Sequence, residues 1–212
     1  GDRLQVLADL TEIAQPKANT SGFRVWVYNK FKKEKGISGF IRKRLGEPAT
    51  LFNESIVNRS ELVMENYLND RGYFNAEIEY DTIVEDRKAT VHYAVTSRGQ
   101  YAIRDVYYPA DTTDLGALIN QNLKKSNLRK GRYYNVQALQ AERQRLTTIA
   151  RNEGFYDFTP NFFYYFADTT AGDLKTDLFL RIQPPKNNPT HQQYRMGDVY
   201  VYPNYSLNDP QG

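Results

Sequence analysis

Two histidines are the side chains best suited to metal binding or acid–base chemistry, because the chain has no cysteine. His92 falls on the polar face of a predicted strand, beside Lys88 and Thr90, and His191 lies in a Pro-, Asn- and Gln-rich stretch without an obvious partner. Zinc sites need three or four converging ligands. We therefore interpret His92 as a solvated residue, and we predict no metal, no cofactor and no enzymatic activity.

Two Asp-Thr-Thr triplets, at 111–113 and 168–170, could contact a phosphate or a metal ion. The same residue types cap helices and close turns through their side-chain oxygens. We interpret both triplets as caps or turns.

A basic segment lies in the first quarter of the chain. Residues 1–50 hold ten Lys or Arg residues against five Asp or Glu, whereas the remainder holds 18 against 20. The excess centres on Lys30, Lys32, Lys33 and Lys35. These lysines could contact an acidic partner or lipid headgroups, or they could belong to a solvated insertion.

An alternative function is a nucleic-acid-binding βααβ module that uses the basic segment 30–44. Its GxxG sequence, Gly36–Gly39, resembles the loop with which KH domains clamp a nucleic-acid backbone, and aromatic residues lie nearby. However, the second half of the chain has no GxxG at the equivalent position, and the net charge is only +3. We therefore predict no nucleic-acid partner.

The aromatic segment 158–166 is the best candidate for binding another polypeptide. Its aromatic residues fall on both faces of a predicted strand: Phe158, Phe162, Phe163, Tyr164, Tyr165 and Phe166. One face could pack under helices while a neighbouring domain covers the other. Alternatively, the strand is exposed, since Pro160 cannot donate a ladder hydrogen bond and belongs at a sheet edge or a strand start.

The elements that position these residues form an internal repeat with an offset of 82 residues. Residues 53–72 align with residues 135–154, and each copy begins with Asn and ends with Gly, as helices often do. Both copies carry one apolar helical stripe and then two alternating strand patterns. A further strand-like pattern at Tyr101–Tyr107 returns at Tyr194–Tyr200.

The repeat predicts an α+β fold with the order β-α-α-β-β in each unit. We place one unit at 1–97, without its first strand and with an insertion at about 16–52, and a second at 98–186. Residues 187–212 are a connector and the first strand of a third unit. We expect Trp26 and Phe40 to pin the insertion to the surface. No apolar run reaches the length of a membrane helix.

The helix end Tyr67-Leu68-Asn69-Asp70-Arg71-Gly72-Tyr73 resembles the "YL-x-x-x-GY" sequence of POTRA domains, and Ile149–Tyr156 is a weaker second copy. Such domains occur in tandem before the barrel of BamA-like and TamA-like outer-membrane assembly factors. The sequences Phe23–Asn29 and Gly46–Pro48 look most like the lipoprotein-type TamA-like proteins of Bacteroidetes. This resemblance implies two helices packed on a small three-stranded sheet in each unit, and no catalytic residues.

The resemblance also implies a periplasmic arm, attached to the outer membrane through a C-terminal β-barrel outside this chain. Its partners would be unfolded outer-membrane protein clients and subunits of the assembly machinery. We expect clients to bind by β-augmentation at the aromatic segment, with these side chains in contact: Phe158, Phe162, Tyr164, Tyr165 and Phe166. The lysines of the basic segment would contact a partner or lipid: Lys30, Lys32, Lys33 and Lys35.

Overall fold

The computed structural model describes residues 2–32, 36–110 and 112–201, which form six α-helices and five β-strands. The chain divides into two compact units. Unit 1 comprises Gly1–Tyr101 with Tyr133–Asn135, and unit 2 comprises Ala102–Arg132 with Val136–Gly212. The predicted α+β fold class is confirmed.

Unit 1 contains four helices and a β-hairpin. The helices are α1 Asp2–Ile13, α2 Gly22–Lys30, α3 Gly36–Leu45 and α4 Glu54–Asp70, and the strands are β1 Glu77–Glu85 and β2 Lys88–Thr96. The two strands pair antiparallel through a two-residue turn, in which Asp86 and Arg87 have positive φ. In the described residues this sheet has only these two strands.

The core of unit 1 lies between α1, α4 and β1. Leu10 of α1, Met64 and Leu68 of α4, and Ile78 of β1 are buried together. The side chain of Asn53 caps α4 by accepting a hydrogen bond of 2.9 Å from the Ser55 N–H, which satisfies one of the free donors at the helix start.

Gly72 and Gly154 each terminate a long helix, as the sequence predicts. The Gly72 N–H donates to the Asn69 carbonyl, and the next N–H, that of Tyr73, reaches back to the Leu68 carbonyl at 2.9 Å. The same pair of bonds follows the second long helix at Gly154. Both glycines have positive φ, +83° and +94°, so the backbone reverses where a side chain would be strained.

The prediction that Trp26 and Phe40 pin the segment 16–52 is wrong. Their side chains are 51% and 60% exposed, and Val27 is the buried residue of α2. The chain approaches α2 closely just after α3, because a Cβ on Gly46 would lie 3.0 Å from the Tyr28 Cα of α2. The rings of Trp26 and Phe40 remain on the solvent side.

Unit 2 contains all five elements of the predicted repeat. They are β3 Ala102–Tyr107, α5 Asp114–Gln121, α6 Val136–Asn152, β4 Phe163–Asp168 and β5 Lys175–Ile182. The strand order is β3-β5-β4, with β3 parallel and β4 antiparallel to β5. Side chains from both helices, β4 and β5 form the core, among them Ile119, Leu146, Phe163 and Leu180.

The interpretation of the two Asp-Thr-Thr triplets as caps or turns is confirmed where the structure describes them. The Thr113 hydroxyl caps α5 by accepting from the Gly116 N–H at 3.1 Å. Asp168 accepts from the Thr170 N–H at 2.9 Å in the turn after β4. Asp111 lies outside the described residues.

The strand predicted at Tyr194–Tyr200 is not formed in the described part of the chain. Residues 191–201 have no regular secondary structure, and 202–212 lie outside the described residues. A strand needs a neighbour for its hydrogen bonds. The Tyr194 N–H donates instead to the Gly154 carbonyl at 2.8 Å, next to the end of α6.

A buried ion pair within α6 is hydrogen-bonded to the loop that follows α5. The Glu142 carboxylate is fully buried and accepts two bonds from the Arg145 guanidinium, at 2.6 and 2.9 Å, and one from the Asn127 N–H at 3.1 Å. Burial alone would raise the pKa of this carboxyl group. The hydrogen bonds from Arg145 and Asn127 outweigh burial and hold the pKa of Glu142 below its ordinary value.

We expect Glu142→Gln to destabilise unit 2 by about 2 kcal/mol at neutral pH, because the Arg145 charge loses its buried counter-ion. A carboxyl group with a lowered folded-state pKa contributes stability above its unfolded pKa and loses it as the pH falls. The difference between wild type and variant should therefore shrink below about pH 4. Urea unfolding at both pH values measures it.

The control is Glu153→Gln, which changes an exposed glutamate just beyond α6. It should alter the free energy of unfolding by less than about 0.5 kcal/mol. A Glu142→Gln effect that stays constant with pH would contradict the assigned role of this ion pair.

Candidate functional site

Strand β4 is an edge strand, as the proline at 160 predicts. It pairs with β5 on one side only, from Phe163 opposite Ile182 to Asp168 opposite Asp177. The Gln183 N–H donates to the Phe162 carbonyl at 2.8 Å. Since antiparallel bonds alternate along a strand, Tyr164, Phe166 and Asp168 direct their backbone groups towards β5.

The open edge therefore carries the backbone groups of Phe163, Tyr165 and Ala167. The Phe163 N–H is satisfied by the Pro160 carbonyl. Within the described residues, no other segment pairs with β4 along this side. Tyr165 and Ala167 thus present N–H and C=O groups that a further strand could bind.

The other edge of the sheet is partly covered. The Ile103 N–H of β3 donates to the Arg132 carbonyl at 2.7 Å, and the Ile103 carbonyl accepts from the Gly131 N–H at 2.8 Å. These two bonds occupy the outward backbone groups near the start of β3. The edge at β4 is consequently the more accessible of the two.

The prediction that the whole aromatic segment 158–166 is strand was wrong at its start, because the strand begins only at Phe163. Pro160–Phe162 form a 3₁₀ turn whose first residue is the proline, where fixed φ and a missing N–H cost nothing. Phe158 lies before this turn and is 1% exposed, in contact with Phe162 and Phe163. Its ring is part of the core and is not presented at the surface.

The predicted site residues of β4 divide between its two faces. Tyr165 points under the helices and packs against the core, with Phe162 beside it. Tyr164 and Phe166 are on the opposite face and are largely exposed. Two of the five expected contact residues, Tyr164 and Phe166, therefore offer their rings to solvent.

An aromatic row crosses the outer face of the sheet. Phe166 of β4 lies opposite Phe179 of β5, with ring centroids 6.2 Å apart, and Phe179 stacks on Tyr107 of β3 at 4.7 Å. Arg181 lies opposite Tyr164 and reaches over the Phe179 ring. Tyr107 and Phe179 were not predicted as site residues from the sequence, although Phe179 alternates with the buried Leu178 and Leu180.

Paired charges border this aromatic row. The Asp177 carboxylate of β5 accepts hydrogen bonds from Nε and Nη2 of Arg104. Lys130 pairs with Asp105 at 3.2 Å. The hydrogen bonds from Arg104 hold the pKa of Asp177 below its ordinary value. Because each acid has its own cation, the border contributes little net charge to the surface.

The histidines lie apart from this face. His92 is on β2 opposite Asp81, on an exposed position. His191 was expected to have no partner, and this is wrong: its ring packs edge-on against Phe158 and Phe162, and its Nε2 lies 2.9 Å from the Gln183 carbonyl. Among the described residues no group of three or more potential ligands could hold a metal ion.

The predicted basic residues are placed only in part. Lys30, the last residue of α2, and Lys32 are exposed, whereas Lys33 and Lys35 lie outside the described residues. In the described ranges, no helix combines the length and the apolar character that a bilayer crossing demands.

The sequence profile of the POTRA family, described as a surface antigen variable number repeat, matches residues 29–98, which include α3, α4, β1 and β2. BamA from Haemophilus ducreyi lacking POTRA domains 1–3 is similar at 13% identity and a TM-score of 0.43, over 80% of this chain and 28% of that chain. Haemophilus influenzae BamA POTRA domains 3–5 are similar at 14% identity and a TM-score of 0.39, over 65% of this chain and 50% of that chain. No curated protein sequence matches the chain.

We expect amide hydrogen exchange to report the open edge directly. The amides of Tyr164 and Phe166 are bonded to β5, so they should exchange at least about tenfold more slowly than those of Tyr165 and Ala167. Residue-resolved exchange measured by NMR on the whole chain tests this. Equal protection along β4 would show that something covers the edge.

Proposed function

We propose that unit 2 binds extended polypeptide segments by β-augmentation at the open edge of β4. The observation that carries this proposal is the run of outward backbone groups at Tyr165 and Ala167, which no described segment satisfies. Main-chain hydrogen bonds to an added strand do not depend on the ligand's side chains. Binding at this edge therefore tolerates many ligand sequences.

The aromatic row supplies the apolar contacts. An added strand continues the sheet, so alternate ligand side chains fall beside Tyr164 and Phe166 on the outer face. Each such cross-strand pair contributes roughly 0.2–1 kcal/mol. A short segment of two or three pairs thus binds weakly, which suits a ligand that must be released.

Strand β1 of unit 1 is a poorer match for an apolar ligand. On its corresponding face the side chains of Glu77, Glu79 and Asp81 are exposed. Charged side chains of one sign discourage another strand from pairing. We therefore infer that unit 2 binds apolar client strands in preference to unit 1.

The wider role that we propose is a periplasmic arm of an outer-membrane protein assembly or translocation factor. The POTRA profile match at 29–98 supports it, as does the second copy of the 82-residue repeat, which lies in unit 2. Clients of such a factor are unfolded chains with alternating aromatic residues, which are suited to an open edge flanked by aromatic rings. Partner subunits of the assembly machinery would contact other surfaces of the same arm.

The test is Ala167→Pro, which removes one outward N–H and leaves the bonds of Phe166 to β5 in place. Binding of an unfolded outer-membrane protein, measured by fluorescence anisotropy, should weaken about fivefold with the loss of one hydrogen bond of about 1 kcal/mol. The melting temperature should change little. Unchanged client binding would contradict β-augmentation at this edge.

A matched control is Ala89→Pro on β2 of unit 1. Because the hairpin turn makes Glu85 and Lys88 a hydrogen-bonded pair, the Ala89 N–H also points outward. This variant should bind clients as the wild type does. A loss equal to that of Ala167→Pro would show that clients do not distinguish the two edges.

Photo-crosslinking gives an independent measurement. A photoreactive residue at Tyr164 or Phe166 should label an unfolded client more strongly than one at Glu77 or Glu79. Equal labelling at the two strands, or none at β4, would overturn the preference for unit 2.

A further inference from the structure

Helices α2 and α3 of unit 1 each expose the same three-residue stripe, spaced i, i+3, i+7. In α2 the stripe is Phe23, Trp26 and Lys30, and in α3 it is Ile37, Phe40 and Arg44. Residues at this spacing lie on one face of a helix. Each stripe thus consists of an apolar residue, an aromatic ring and then a cation.

Within both stripes the cation lies against an aromatic ring. The Phe23 and Trp26 rings stack with centroids 5.8 Å apart, and the Lys30 ammonium lies 4.4 Å from the Trp26 centroid. In α3 the Arg44 guanidinium lies 5.7 Å from the Phe40 centroid. The cations therefore sit at the ends of continuous apolar strips, where they can reach past the rings to a charged surface.

These strips are not part of the core of unit 1. Phe23 is 65% and Ile37 81% exposed, whereas the helices bury Val27 and Gly39. Nearby, Leu45, Leu51 and Phe52 are exposed as well. Large apolar side chains that stay exposed on two contacting helices of a folded domain mark a candidate interaction site.

The surrounding charge is strongly positive. Residues 22–45 include only one acidic residue, Glu34, against eight basic ones: Arg24, Lys30, Lys32, Lys33, Lys35, Arg42, Lys43 and Arg44. Among the described members of this set, only Arg24 forms an ion pair within the described residues, with Glu47. Lys30, Lys32, Lys43 and Arg44 are exposed and available to an external anion, whereas Arg42 is half-buried against the Tyr28 ring.

We propose that the α2–α3 hairpin binds the surface of an anionic lipid bilayer, with the apolar strips in the interface and the cations on the headgroups. Aromatic and aliphatic side chains beside Lys and Arg are the composition of helices that lie in a membrane interface. Nucleic acid fits less well, since Lys30 covers a face of the Trp26 ring and Ile37 and Leu45 cannot stack with bases. This surface belongs to unit 1, whereas the edge of β4 belongs to unit 2.

Trp26 is the only tryptophan of the chain and reports on this surface directly. Its emission, excited selectively over that of tyrosine, should shift to the blue when the whole chain is mixed with vesicles of phosphatidylcholine and phosphatidylglycerol. Brominated acyl chains in those vesicles should quench it. Vesicles of phosphatidylcholine alone should produce neither effect.

Two double variants separate charge from apolar contact. Lys30→Gln with Arg44→Gln should weaken co-sedimentation with the anionic vesicles about 30-fold, since each cation near such a surface contributes about fivefold. Phe23→Ser with Ile37→Ser should abolish the blue shift of Trp26. The control, Lys124→Gln with Lys125→Gln, changes two exposed lysines of unit 2 and should leave both measurements unaltered.

Three results would overturn the proposal. The first is binding to phosphatidylcholine vesicles equal to that of anionic ones. The second is a Trp26 emission unchanged by anionic vesicles. The third is tight, salt-sensitive binding of single-stranded DNA through Lys30 and Arg44 without any binding to vesicles.

Discussion

The central position of β5 determines which surfaces of unit 2 are open. Because β5 pairs with β3 on one side and with β4 on the other, both of its sides are occupied, and β4 has no second neighbour among the described residues. Its side chains alternate accordingly: Leu178 and Leu180 enter the core, and Phe179 remains on the outer face. Both the unpaired edge and the aromatic row thus result from one arrangement, the strand order β3-β5-β4.

The run Phe163-Tyr164-Tyr165-Phe166 illustrates what its sequence can and cannot specify. An alternating strand must bury one face, but four aromatic residues in succession favour neither face. The helices determine which face of β4 is buried, since α5 and α6 supply the core against which Phe163 and Tyr165 pack. Tyr164 and Phe166 are then left on the solvent side, although this pair is no less hydrophobic than the buried pair, since each pair is one Phe and one Tyr. No property of these four residues alone could have predicted which two are exposed.

Local chain signals predicted the elements of unit 2 well. Asn at the start and glycine beyond the end identified both long helices, α4 and α6. Period-two apolar patterns identified the three strands of unit 2. The errors at Phe158, Trp26 and His191 have a common origin, because each depends on contacts between distant segments. Phe158 is buried where a 3₁₀ turn folds back on the core, and His191 packs there from more than twenty residues away. Trp26 is exposed because α2 directs its neighbour Val27, and not Trp26, into the interior.

The two exposed apolar surfaces differ in the electrostatics around them, and this difference indicates different ligands. Beside the aromatic row of unit 2, Arg104 pairs with Asp177 and Lys130 with Asp105. A surface with internally balanced charge attracts apolar segments with no preference for their sign of charge. Around Trp26 and Phe40 the described cations have almost no acidic counterpart, so the same apolar character is combined with a strong attraction for anions. The first surface is therefore suited to a neutral polypeptide strand, as proposed, whereas the second is suited to a ligand that is both apolar and anionic, such as a charged bilayer interface.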